Sequence, residues 1–200
     1  VDDMVGQIMK RLERHGMADD TLLIFTSDNG PVWYPTDTER LGHSSTGPLR
    51  GMKADSYEGG HRVPFIVRWP KQTPADTVND HLICHTDMLA TLAGLTGQKI
   101  ASGQAQDSIN QSPLLFTPKL ESPPRNTLIT SNNSKYFGVR RGQWKMITGL
   151  GSGGFTQPRD IKPREGGPSG QLFNLGEDLA ETNNLWQENP AIVKQLEFIL

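Results

Sequence analysis

The sequence predicts a mixed α/β fold over residues 1–122 followed by a small α+β subdomain, an antiparallel sheet with one helix, over 123–200. Two observations carry this. An amphipathic helix leads into a short apolar strand without alternation, the pattern of a parallel sheet covered on both faces. After Gly97 the pattern changes to short strands broken by turn residues, closed by a helix.

The elements follow in order. Val1, Val5, Ile8 and Leu12 fall at helical spacing, with Asp2 and Asp3 at the positive end, Lys10, Arg11 and Arg14 at the negative end, and Gly16 as the C′ residue. A chain that opens on a complete helix at Val1 reads as a segment of a longer protein. Thr21-Leu22-Leu23-Ile24-Phe25-Thr26 is the first strand and Val63 to Trp69 the second. Residues 30–62 between them carry Gly, Pro, Ser and Thr without a period, a length that in a compact domain points to function. A helix is expected from Asp87 to Leu95. Residues 98–125 form a polar excursion around Leu114-Leu115-Phe116. Strands are expected at Asn126–Ser131, Tyr136–Arg141, Gln143–Thr148 and Gln171–Leu175, with a turn at Asn132-Asn133-Ser134. Asn189 and Pro190 open the last helix.

Composition narrows the function. Lys plus Arg is 20 and Asp plus Glu 22, a net charge of -2, so nothing draws the chain to nucleic acid or to an anionic membrane. No apolar run approaches the roughly 20 residues of a membrane span. The single cysteine, Cys84, excludes an internal disulfide and reads as a small buried hydrophobe. His81, Cys84, His85 and Asp87 match no zinc-finger spacing. Asn110-Gln111-Ser112 and Asn132-Asn133-Ser134 are glycosylation sequons by pattern alone.

Chemistry concentrates in three places. Asp28-Asn29-Gly30 follows a strand, where α/β sheets bind ligands, and its two side-chain oxygens suit Ca²⁺ or Mg²⁺. Lys53 ends Gly47-Pro48-Leu49-Arg50-Gly51-Met52-Lys53, a glycine-rich loop without phosphate-loop spacing, and can neutralise an anionic ester. In Tyr57-Glu58-Gly59-Gly60-His61-Arg62-Val63-Pro64, Glu58 and Arg62 are expected to pair as a brace. His43 and His61 are candidate proton donors by their chemistry, with His61 read as an exposed loop histidine.

Taken jointly, the run from Thr21 to Pro31, the Gly47–Lys53 loop, Tyr57 to Phe65, and Arg68-Trp69-Pro70 resemble the arylsulfatase family of type I sulfatases. Asp87 to Gly94 is similar to that family's next helix. Arg140, Gly142, Trp144, Lys145, Leu172-Phe173-Asn174-Leu175, Glu181 and Asn184-Leu185 resemble its C-terminal subdomain. The resemblance implies an alkaline-phosphatase-like α/β fold, hydrolysis of sulfate esters, Asp28 and Asn29 as two Ca²⁺ ligands, and Lys53 on the sulfate. His43 matches no motif position and enters as a catalytic and substrate-binding candidate on its chemistry alone. The family's nucleophile, a formylglycine made within C-x-P-S-R, has no counterpart in these 200 residues, nor do its upstream metal ligands. The chain alone is therefore expected to be inactive, to bind Ca²⁺ weakly or not at all, and to self-associate through an exposed sheet edge. The family is commonly exported or lysosomal. Two other readings stay open: a phosphodiesterase or phosphonate hydrolase of the same superfold, and a non-enzymatic module that binds sulfated glycans.

Overall fold

The computed structural model describes residues 1–117, 119–132 and 136–200. The chain divides into two units, Val1–Thr26 with Pro64–Asn126, and Ser27–Val63 with Thr127–Leu200. No helix among the described residues is long and apolar enough to cross a membrane.

In the first unit, helix α1 (Asp2–Arg14) ends at His15, and Gly16 follows at φ +65°. That left-handed residue takes the C′ position its sequence suggests. Strand β1 (Leu23–Thr26) pairs with β2 (Phe65–Arg68), Leu23 opposite Arg68 and Thr26 opposite Phe65. The pair is antiparallel, which corrects the parallel arrangement expected from the apolar run. A run without alternation reports partial cover on both faces of a strand, and it carries no information about a neighbour's direction. A 3₁₀ turn (His85–Asp87) leads into α4 (Met88–Thr96), which Gly97 ends at φ +69°. The buried Asp87 carboxylate accepts from the backbone N–H of Cys84 and of Ile109, from Gln111 Nε2, and from the Arg125 guanidinium. The Arg125 pair and these N–H donors hold it below the usual carboxylate range despite burial. This one side chain thereby anchors the polar excursion, where Ser112–Phe116 forms the short helix α5. Cys84 is only half-buried.

In the second unit, β3 (Thr127–Ser131), β4 (Phe137–Arg141), β5 (Trp144–Ile147) and β6 (Gln171–Asn174) form an antiparallel sheet in sequence order, as expected. The expected turn at Asn132-Asn133-Ser134 lies largely outside the described residues, as does that sequon. Strand alternation sends neighbouring side chains to opposite faces. Val139, Met146 and Leu172 therefore line up in register on one face, where helix α6 (Pro190–Glu197) lays Val193 and Leu196 on them. Ile147 and Phe173 meet Tyr57, Tyr136 and Leu175 on the other. With both faces covered, all four residues of β6 are buried. The stretch of residues 30–62, aperiodic in sequence, forms two helices, α2 (Pro35–Leu41) and the one-turn α3 (Glu58–His61).

Candidate functional site

Three segments of the second unit are laced together by main-chain hydrogen bonds. Gly30 N–H donates to Gly60 O at 2.9 Å, Lys53 N–H to Pro31 O at 2.9 Å, and Gly59 N–H to Arg50 O at 2.8 Å. Such close backbone approach excludes side chains. A Cβ on Gly30 would fall inside the Gly59 carbonyl, and one on Gly60 inside the Asp55 carbonyl. The glycines of Asp28-Asn29-Gly30 and Glu58-Gly59-Gly60 are thus a steric requirement of one interlock, which brings the strand-end loop to the lysine loop.

The lysine loop is held from below. Asp55, buried, accepts from Met52 N–H at 2.8 Å, from Thr156 N–H at 3.1 Å and from the Thr156 hydroxyl at 2.5 Å. Ala54, next to Lys53, sits at φ +72°. That conformation is costly for a residue with a Cβ and persists only where surroundings enforce it. The turn that presents Lys53 is therefore fixed rather than floppy.

Above this turn lies a cavity of about 230 Å³, lined by residues that include Asn29, Lys53, Ser56, His61, Ser131 and Asn132. Asn29 and Lys53, singled out in sequence, share this space. Asn29 donates its Nδ2 to Gly30 O at 3.0 Å, which leaves Oδ1 for a cation. Asp28 is exposed and is not among the lining residues. Its carboxylate and the Asn29 amide oxygen are hard donors fit for Ca²⁺ or Mg²⁺, but they are two of the about six to eight such a cation takes. Among the described residues no group of three or more His, Cys, Asp or Glu could hold a metal. These two donors alone do not complete a cation's coordination. His43 is exposed, its ring edge-on to Trp33 at 5.6 Å, and it is not among the residues that line this cavity.

His61, read in sequence as a loop histidine, lines the cavity. Its Nε2 stands 3.2 Å from Glu58 Oε1. The expected Glu58–Arg62 pair forms, at 3.5 Å, but it is the weakest strand of a larger network. Buried Lys145 bridges Glu58 Oε1 at 3.0 Å and Glu181 Oε1 at 2.8 Å, and Arg140 reaches Glu58 Oε2 at 3.3 Å. Burial alone would push the Glu58 carboxyl up. The His61 hydrogen bond and the Lys145 charge outweigh it and hold Glu58 ionised far below the usual range. Burial, then Lys145, pushes His61 down. Burial pushes Glu181 up.

A family profile described as Sulfatase matches residues 1–98. The chain is 33% identical to N-acetylgalactosamine-6-O-sulfatase of Bacteroides thetaiotaomicron over 100% of its own length and 39% of that protein. A solved structure reported with the metabolism of multiple glycosaminoglycans by the same organism superposes with TM-score 0.84 at 32% identity, covering 99% of this chain and 42% of that one. A crystal structure of Ps i-CgsB with k-i-k-neocarrahexaose gives TM-score 0.71 at 28% identity, over 98% of this chain and 39% of that one. The chain thus spans about two-fifths of the length of these relatives.

Proposed function

The chain belongs to the sulfatase family, and from that premise we propose that it supplies one wall of the active site of an enzyme that hydrolyses carbohydrate sulfate esters. The observation that carries the reading is the shared cavity of Asn29 and Lys53, two motif residues 24 positions apart on segments that the glycine interlock joins. Cleavage of a sulfate ester builds negative charge on the bridging oxygen as its bond to sulfur breaks. The Lys53 ammonium, carried on a turn whose backbone is held, would meet that charge, and a charge already in place needs little rearrangement as the reaction proceeds. Asp28 and Asn29 would hold a divalent cation, which when bound supplies charge compensation on the sulfate oxygens. Relatives acting on sulfated sugars favour a carbohydrate over an aryl substrate. The formylglycine nucleophile and the remaining metal ligands would come from outside these 200 residues, so the segment alone is inactive.

The test is Lys53→Ala in the intact sulfatase that carries this segment. Its kcat on a sugar sulfate should fall about 10²–10³-fold, as for loss of one preorganised donor, with an unchanged Tm. An unaffected rate would overturn the assignment. So would Lys53-dependent hydrolysis by the 200-residue chain on its own, because it would require a nucleophile within it.

A further inference from the structure

We propose that His61 is a specificity-determining residue of this cavity, whose Nδ1 accepts a hydrogen bond from a hydroxyl of the substrate's sugar, beside the ester, and so favours sugar sulfates over aryl sulfates. The inference rests on the reading of the cavity as a sulfate-ester site.

The argument begins at Glu58. Its two oxygens face Lys145, Arg140 and Arg62 within 3.0–3.5 Å. A carboxylate among three cations is ionised and can only accept hydrogen bonds. The proton of the 3.2 Å contact therefore belongs to His61 Nε2. Two cations in the same network, Lys145 and Arg140, disfavour a second proton on the ring, and burial works in the same direction. The imidazole is thus the neutral Nε2–H tautomer, and Nδ1 carries a lone pair with no partner among the described residues.

An acceptor in an anion cavity is informative. Sulfate oxygens are themselves acceptors, so Nδ1 cannot hold the sulfate. Two other acceptors nearby are already engaged: Asp55 by Met52 and Thr156, and Asn132 Oδ1 by the Tyr136 N–H at 3.3 Å. Asn29 Oδ1 belongs to the proposed cation. What His61 can recognise is a donor on the alcohol half of the ester. A hexopyranose sulfated at its exocyclic C6 carries a hydroxyl at C4, two carbons away, whereas a simple aryl sulfate offers none.

The experiment compares N-acetylgalactosamine 6-sulfate with 4-nitrophenyl sulfate in the intact sulfatase. His61→Phe keeps a ring and removes the acceptor. It should lower the ratio of kcat/KM for the sugar over the aryl sulfate about tenfold, the value of one neutral hydrogen bond. His61→Asn, which places an amide oxygen near the position of Nδ1, should recover part of the ratio. Equal losses on both substrates would show a bracing role for Glu58 alone and overturn the inference while leaving the sulfatase reading intact. A wild type that hydrolyses neither would overturn both. Should the variants fail to fold, the ¹⁵N spectrum of His61 in the unmodified 200-residue chain decides the point. A pyrrole-like Nε2 with a pyridine-like Nδ1 at neutral pH supports it, and the opposite tautomer or an imidazolium overturns it.

Discussion

Lys145 shows how little a strand's local sequence says about one side chain's surroundings. A lysine in a short strand ordinarily faces solvent. Lys145 is instead buried at 1% exposure, between Glu58 and Glu181. A buried cation between two carboxylates is stable only as a set, because removing the centre leaves two like charges in a low dielectric. Lys145→Met, close in volume and uncharged, should therefore destabilise the chain by about 3–5 kcal/mol in denaturant unfolding. Glu181, already pushed up by burial, should then be pushed further up, since the Lys145 charge that opposes this is gone. A loss under about 1 kcal/mol would mean that water reaches the cluster and screens it. The same network explains why His61 was illegible. Lys145 and Arg140, which pair with its partner Glu58, lie more than 80 residues from that glutamate, and no local spacing encodes their convergence. Asn29 and Lys53 were legible because their motifs also carry the glycines that the local backbone demands.

At the scale of elements, strands were easier to read than their partners. The four strands of the second unit fall within a residue or two of the turn-bounded runs that predicted them, because alternation and turn chemistry are local. The direction of β1 against β2 was not readable, since the 38 residues between them decide it. Nor was α3, a single turn whose two glycines weaken helix propensity. Tertiary contact forces that turn, and the contact is testable. Gly60 N–H donates to Tyr57 O while its α-carbon abuts the Asp55 and Met52 carbonyls. Backbone cannot swing aside as a side chain can, so Gly60→Ala should cost about 1–3 kcal/mol, the range for an overfilled core. Because Lys53 lies between those carbonyls, Gly60→Ala should also lower kcat in the intact sulfatase. A variant with wild-type Tm would show that the loop yields instead.

The two units differ in how much apolar surface they bury, and this sets how the chain behaves as a whole. Of the buried apolar residues among those described, Leu114 alone belongs to the first unit, while the others, from Met52 and Tyr57 to Val193 and Leu196, belong to the second. At 50% exposure or more the first unit carries Val1, Met4, Ile8, Met17, Ile66, Val78 and Leu89, and the second Leu41, Phe198 and Leu200. Burial of about 25 cal/mol per Å² is the main force that opposes chain entropy, so the second unit holds most of the stability. Its strands β4 to β6 should show the slowest amide exchange, and β1 and α1 should exchange through openings that leave the sheet protected. Uniform protection across both units would contradict this. The same imbalance argues for self-association of the isolated chain. The pair β1–β2 has no further strand among the described residues, and its Ile66 is exposed at 59%. Unpaired edges recruit other chains, and apolar surface strengthens the contact. Sedimentation velocity should give a weight-average mass that rises with concentration above the 22.1 kDa monomer. Replacing Ile66 and Ile8 with lysine should return the chain to a monomer without loss of the protected sheet, because neither side chain belongs to the second unit's core.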